Sequence, residues 1–146
     1  MDPLSATASV LALIEGTSKS AKYIYCFFRN VVDMPLEVKN YCVSIQALTS
    51  TLTEIQTLWC TGNFEPQQTT QFTQLSQSVR ECLADVQVAE KRIGRIEKDL
   101  KAKKARRTWT KVKYGLIKEG PWLEKFFGRV RMWNNFLTYN LVLLQM

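Results

Sequence analysis

Residues 72–100 read FTQLSQSVRECLADVQVAEKRIGRIEKDL, and this stretch decides the fold. Phe72, Leu75, Val79, Cys82, Val86, Ala89, Ile93, Ile96 and Leu100 recur at alternating spacings of three and four. Sustained over about four heptads, that is the period of one face of a long helix packing through a coiled-coil-like seam. The helix is expected to start near Pro66, after loop residues such as Gly62 and Asn63, and its basic C-terminal end favours the helix dipole.

Upstream, Val38, Tyr41, Ile45, Leu48, Leu52, Ile55 and Trp59 show the same helical period, between Asp33-Met34-Pro35 and Thr61-Gly62. Asp33 ahead of Pro35 repeats the helix-start device of Asp2-Pro3, which opens a first helix running to about Asn30. Downstream, Thr108 to Glu119 is a short helical or irregular piece ended by Gly120-Pro121. Trp122, Phe126, Val130, Trp133, Leu137, Leu141 and Leu144 then mark a last amphipathic helix. No stretch alternates at the strand period, and short connections favour antiparallel neighbours. The expected fold is all-α, a four- or five-helix antiparallel bundle with one long third helix, forming a single domain over residues 1–146. The apolar end at Leu-Leu-Gln-Met fits the N-terminal module of a longer protein.

With 146 residues, 46% of them hydrophobic, the chain can remove roughly 70% of its surface from water and needs no metal or disulfide staple. It contains no His, which removes His-activated nucleophiles, His acid-base catalysis and the commonest transition-metal ligand. Neither an enzyme nor a cofactor is expected. Cys26, Cys42, Cys60 and Cys82 lie 16, 18 and 22 residues apart, too far for close-spaced metal or redox pairs, and read as small buried apolar residues. Asp2-Pro3 is unlike the basic start of an export signal, and Leu4 to Ile14 is too short to span a bilayer, so a reducing cytoplasmic setting is expected.

Charge is uneven. Residues 1–80 carry 5 basic and 6 acidic side chains, residues 81–146 carry 15 and 7, and 11 Lys/Arg fall between Lys91 and Lys113 against Glu97 and Asp99. Such a run is either the solvated basic end of a helix or a surface that attracts anionic lipid headgroups, with Lys101, Lys103, Lys104, Arg106, Arg107, Lys111 and Lys113 as the candidate patch. Nucleic acid is the less favoured partner, because Trp59, Trp122 and Trp133 fall on apolar faces and only Trp109 sits inside the run. Gly16-Thr17-Ser18-Lys19-Ser20 lacks the earlier Gly and the strand of a phosphate loop. Instead Ala8, Ala12, Gly16 and Ser20 form a small-xxx-small row beside the apolar Leu4, Val10, Leu11, Leu13 and Ile14. Such a helix either seats a neighbour in the bundle or associates within a membrane.

Met1-Asp2-Pro3-Leu4-Ser5, Ala8-Ser9-Val10-Leu11-Ala12-Leu13-Ile14, Ser18-Lys19, Leu36-Glu37-Val38, Leu123-Glu124-Lys125-Phe126 and Asn140-Leu141-Val142-Leu143-Leu144 resemble the N-terminal domain of fungal STAND proteins, the HeLo-like group. The resemblance departs from that pattern at Gly120-Pro121 and in the basic third-helix end. It implies a helical bundle ahead of a nucleotide switch or an amyloid-forming module. It further implies a cell-death effector that moves from the cytoplasm to the plasma membrane, homo-oligomerises there and inserts its first helix. The alternative is a non-lytic interaction module.

Overall fold

The computed structural model describes residues 3–61, 69–118 and 120–145, with side chains for 9–60, 73–118 and 120–145. Its helices are α1 (Pro3–Arg29), α2 (Leu36–Thr61), α3 (Thr69–Ala102), α4 (Trp109–Ile117) and α5 (Trp122–Gln145), and the described residues contain no strand. The Gly62–Gln68 loop, the expected start near Pro66 and the Phe72 side chain lie outside the described residues. Along the seam, Leu75, Val79, Cys82, Val86, Ala89, Ile93 and Leu100 are buried, and Ile96 packs partly buried against them. Cys82 acts here as an apolar side chain, since burial pushes its thiol up to about 12.

The helices form a ring in the order α1, α2, α5, α3. Consecutive long helices run antiparallel, as the short connections require. α3 lies diagonally from α2, and the neighbours α1 and α3 are parallel. Gly16 lies opposite Leu83, Tyr23 reaches Glu97 and Phe27 lies under Arg107. α2 and α5 are parallel as well: Tyr41 stacks on Phe127 with centroids 4.1 Å apart, and Thr51 Oγ1 donates to Asn134 Oδ1 at 2.6 Å.

One start signal works at a distance. Asp33 was expected to open α2, but α2 begins at Leu36 with Pro35 O accepting the Val38 and Lys39 N–H groups. The Asp33 carboxylate instead accepts the Trp109 N–H at 2.8 Å and caps α4, whose own N-cap Thr108 makes no side-chain cap bond. The α1–α2 turn is thereby tied to α4, reinforced by the Val32 N–H donating to Arg107 O at 2.8 Å.

The last turn of α3 closes in a Schellman arrangement: Ala105 N–H donates to Leu100 O, and Lys104 N–H to Lys101 O. The position that favours glycine is held by Lys104, at φ 50. Lys104→Gly is therefore expected to stabilise the domain by about 0.5–1 kcal/mol, seen as a rise of about 2–4 °C in the thermal midpoint. Gly120, at φ 117, makes the corner into α5, where the Trp122 indole N–H donates to Leu116 O.

The core at this end of the bundle is aromatic. Phe28 meets Phe27, Tyr41 and Phe127 edge-on at 5.3–5.6 Å and Trp109 at 6.4 Å, which joins α1, α2, α4 and α5 through one ring.

Candidate docking surface

The part of the basic run from Lys101 to Lys113 folds onto one pole, made by the ends of α1 and α3, the start of α2, the 103–108 turn and α4. Lys104, Arg106 and Lys111 are exposed, with no ion-pair partner among the described residues. Lys101 and Lys103 are exposed and reach Glu97 and Asp99 at 3.7 and 3.2 Å, pairs that cost little to break from the lysine side. Exposed Val32, Leu36, Tyr114 and Ile117 stand at the same pole, the mix of cations and apolar groups that suits a lipid interface.

Two members of the predicted patch are occupied elsewhere. Arg107 is held by Glu97 Oε2 at 2.9 Å, lies 4.7 Å over the Phe27 ring and donates to Phe27 O at 3.4 Å, with its side chain only 19% exposed. Lys113 is 3.6 Å from Glu37 Oε2 and 5.9 Å from the Trp109 ring. Arg107→Gln is therefore expected to act on stability, at about 1.5–3 kcal/mol for hydrogen bonds to a charged group, measured by urea unfolding. Its effect on vesicle binding should be smaller than that of removing Lys104 or Arg106.

Glu37 joins this pole without any pattern in the sequence that marks it as a site residue. It accepts from Tyr41 Oη at 2.9 Å and from the Trp109 indole N–H at 3.3 Å, and it pairs with Lys113. Burial and this carboxylate push the Tyr41 pKa far above its ordinary value, so Tyr41 stays a neutral donor. Trp109, the one tryptophan within the basic run, is buried in this network. A Glu two residues after the helix-start Pro35 is its only signal in the sequence.

The predicted inserting helix is distributed differently. Val10, Ile14 and Ser20 are buried, Leu11 and Leu13 pack partly buried, and Ala12 is exposed. The side chains of Leu4 and Ala8 lie outside the described residues. Gly16 faces Leu83 of α3, whose nearest atom is 3.6 Å from where a Cβ would sit, an ordinary contact. The small row thus turns from solvent at Ala12 to the interior at Ser20 and presents no single open face. Because α1 and α3 are parallel, Leu4–Ile14 lies at the pole opposite the basic one, about 20–35 Å away at 1.5 Å per residue. The structure does not bring the two predicted halves of the site together.

Of the cysteines, which were expected to be buried, Cys82 is; Cys42 is half-buried, and Cys26 and Cys60 are exposed, all four free. Among the described residues no group of three acidic or Cys side chains is placed to hold a metal, and no helix is long and apolar enough to cross a membrane.

The family model described as "Pigment biosynthesis cluster protein PigL N-terminal" matches residues 1–119, that is α1 to α4, and stops ahead of Gly120-Pro121 and α5. No curated protein and no solved structure matches the chain.

Proposed function

The chain belongs to the PigL N-terminal family, and on that footing we propose that it works without a chemical step, as a docking module that lays its basic pole on an anionic lipid surface. The observation that carries this reading is the gathering of Lys101, Lys103, Lys104, Arg106 and Lys111 beside exposed Val32, Leu36 and Tyr114. Each such cation near an anionic leaflet contributes about 1 kcal/mol, screened within a Debye length. Docked this way, the domain sits at the cytoplasmic face of the plasma membrane with α1 still in its seat between α2 and α3.

A second reading, the HeLo-like effector, has α1 leave that seat, oligomerise and permeabilise the bilayer under control of a downstream nucleotide-switch or amyloid module. It is favoured by the absence of any charged residue from Pro3 to Ile14. It also requires the apolar half of α1 to reach the membrane from the far pole and to uncover the faces against which Val10 and Ile14 are buried.

Phosphatidylcholine vesicles with and without phosphatidylserine, loaded with a self-quenching dye, test both readings. Docking predicts binding to the anionic vesicles alone, loss of binding at high salt, and retained dye. Equal binding to both vesicles, or to neither, overturns it. Dye release from the anionic vesicles moves the conclusion to the effector. Tighter binding to a duplex oligonucleotide than to lipid at the same salt moves it to nucleic acid.

A further inference from the structure

At the pole away from the basic one meet α1 up to Ile14, α2 from Leu48, α3 up to Val79 and α5 from Met132. These four stretches hold a single charged residue, Glu54. On its outer side α5 presents Met132, Phe136, Tyr139 and Val142, all between 44% and 63% exposed, at spacings of four and three that set them along one side of the helix. Beside this ridge, Phe136, Tyr139 and Asn140 form an open groove with Thr73, Gln77 and Ser78 of α3; its surface is mostly carbon and is edged by uncharged amide and hydroxyl groups. An exposed apolar ridge of this extent on a water-facing helix marks an interaction surface.

We infer that this ridge and groove form the surface through which two copies of the chain associate. The charge map selects the occupant. The chain carries a net charge of +7, so two copies repel through their basic faces, and an acidic partner is drawn to the basic pole instead. From Met132 to Gln145 no charged residue occurs, and none occurs from Thr69 to Val79 of α3. Two copies can meet here without setting like charges against each other or stripping water from an ion. Each copy supplies both a ridge and a groove, so a two-fold axis seats the ridge of one copy in the groove of the other, as a self-complementary interface requires. Four half-exposed apolar side chains provide less than the roughly 800 Å² per partner of a stable complex. The dimer is accordingly weak in solution and grows where copies are concentrated on a surface.

Sedimentation equilibrium over a concentration series, at low and at high salt, tests this. The expected result is a reversible monomer–dimer equilibrium that tightens as salt rises, because screening removes the repulsion between the +7 copies and leaves the apolar contact in place. Tyr139→Asp and Phe136→Asp are each expected to weaken it at least about tenfold, the equivalent of about 1.4 kcal/mol. Val43→Asp, at an exposed site on α2 remote from the ridge, leaves it unchanged. Tyr139 is the more exposed of the two aromatics, so if Phe136→Asp lowers the melting point, Tyr139→Asp alone decides. A chain that stays monomeric at every concentration and salt overturns the inference. So does a dimer that loosens with salt, or one that Tyr139→Asp leaves intact. At coverages too sparse for copies to meet on the vesicle, docking by Tyr139→Asp should match the parent, which separates failure of this interface from failure of the basic pole.

Discussion

Replacing Lys101, Lys103, Lys104 and Arg106 together with Gln is expected to lower affinity for phosphatidylserine-containing vesicles by about 100- to 1,000-fold at low salt. At about 1 kcal/mol per cation the ceiling is about 4 kcal/mol, or nearly three decades at about 1.4 kcal/mol each. The pairs from Lys101 to Glu97 and Lys103 to Asp99 pull the value below that ceiling, because those cations are already partly compensated. Folding should be untouched. All four side chains are exposed, and surface changes of this kind stay within about 0.5 kcal/mol each. Arg107 is left in place because its guanidinium holds Glu97 and Phe27 together. The variant is read by vesicle co-sedimentation beside a thermal melt. A folded variant that binds like the parent removes the docking role of this pole.

Phe28→Ala is expected to cost about 3–5 kcal/mol in urea unfolding, the range for deleting a buried aromatic ring, against a total of about 5–15 kcal/mol for a domain. The size follows from position. Phe28 is fully buried and is the ring that Phe27, Tyr41, Phe127 and Trp109 share. Its loss leaves a cavity where four helices meet, and edge-to-face pairs worth about 0.5–1.5 kcal/mol each go with it. α4 should suffer most, since it is short and is fixed through Trp109 to this cluster and through Asp33 to the α1–α2 turn. Amide exchange across Trp109–Ile117 should rise before that of the α3 seam. Uniform acceleration along the chain would show that α4 is held by other means.

The helices were legible because each long one writes its packing face as a 3-4 spacing, and the predicted α2 positions from Val38 to Trp59 are all buried. α5 was legible only in part. A single stripe finds Phe126, Val130, Leu137, Leu141 and Leu144, but α5 packs on both α2 and α3 and so also buries Leu123, Phe127 and Asn140. Trp133, placed on the apolar stripe, is half-buried and donates its indole N–H to Asp85 at 2.8 Å. Asp33 reads as a local helix cap because a capping carboxylate looks local in sequence, while its actual partner lies 76 residues on. The basic run was plain from composition. Which of its cations remain available was not, since Arg107 and Lys113 are taken up by Glu97 and Glu37 only once the chain has folded back. The separation of the first helix's apolar half from the cations was hidden for a related reason. The placing of α3 diagonally from α2 sets α1 parallel to α3, and no spacing rule encodes it.

A cationic pole and a neutral pole held at the two ends of a rod about 50 Å long, the length of a 34-residue helix, make the domain a permanent electric dipole. Near an anionic sheet it feels a torque as well as a pull, and it turns its cations forward within about a Debye length of the surface, before any atom touches. A large share of random encounters is thereby converted into aligned ones. On the proposed docking, ionic strength should act on the arrival rate at the membrane more than on residence time, which apolar contacts of the exposed Val32, Leu36 and Tyr114 would prolong.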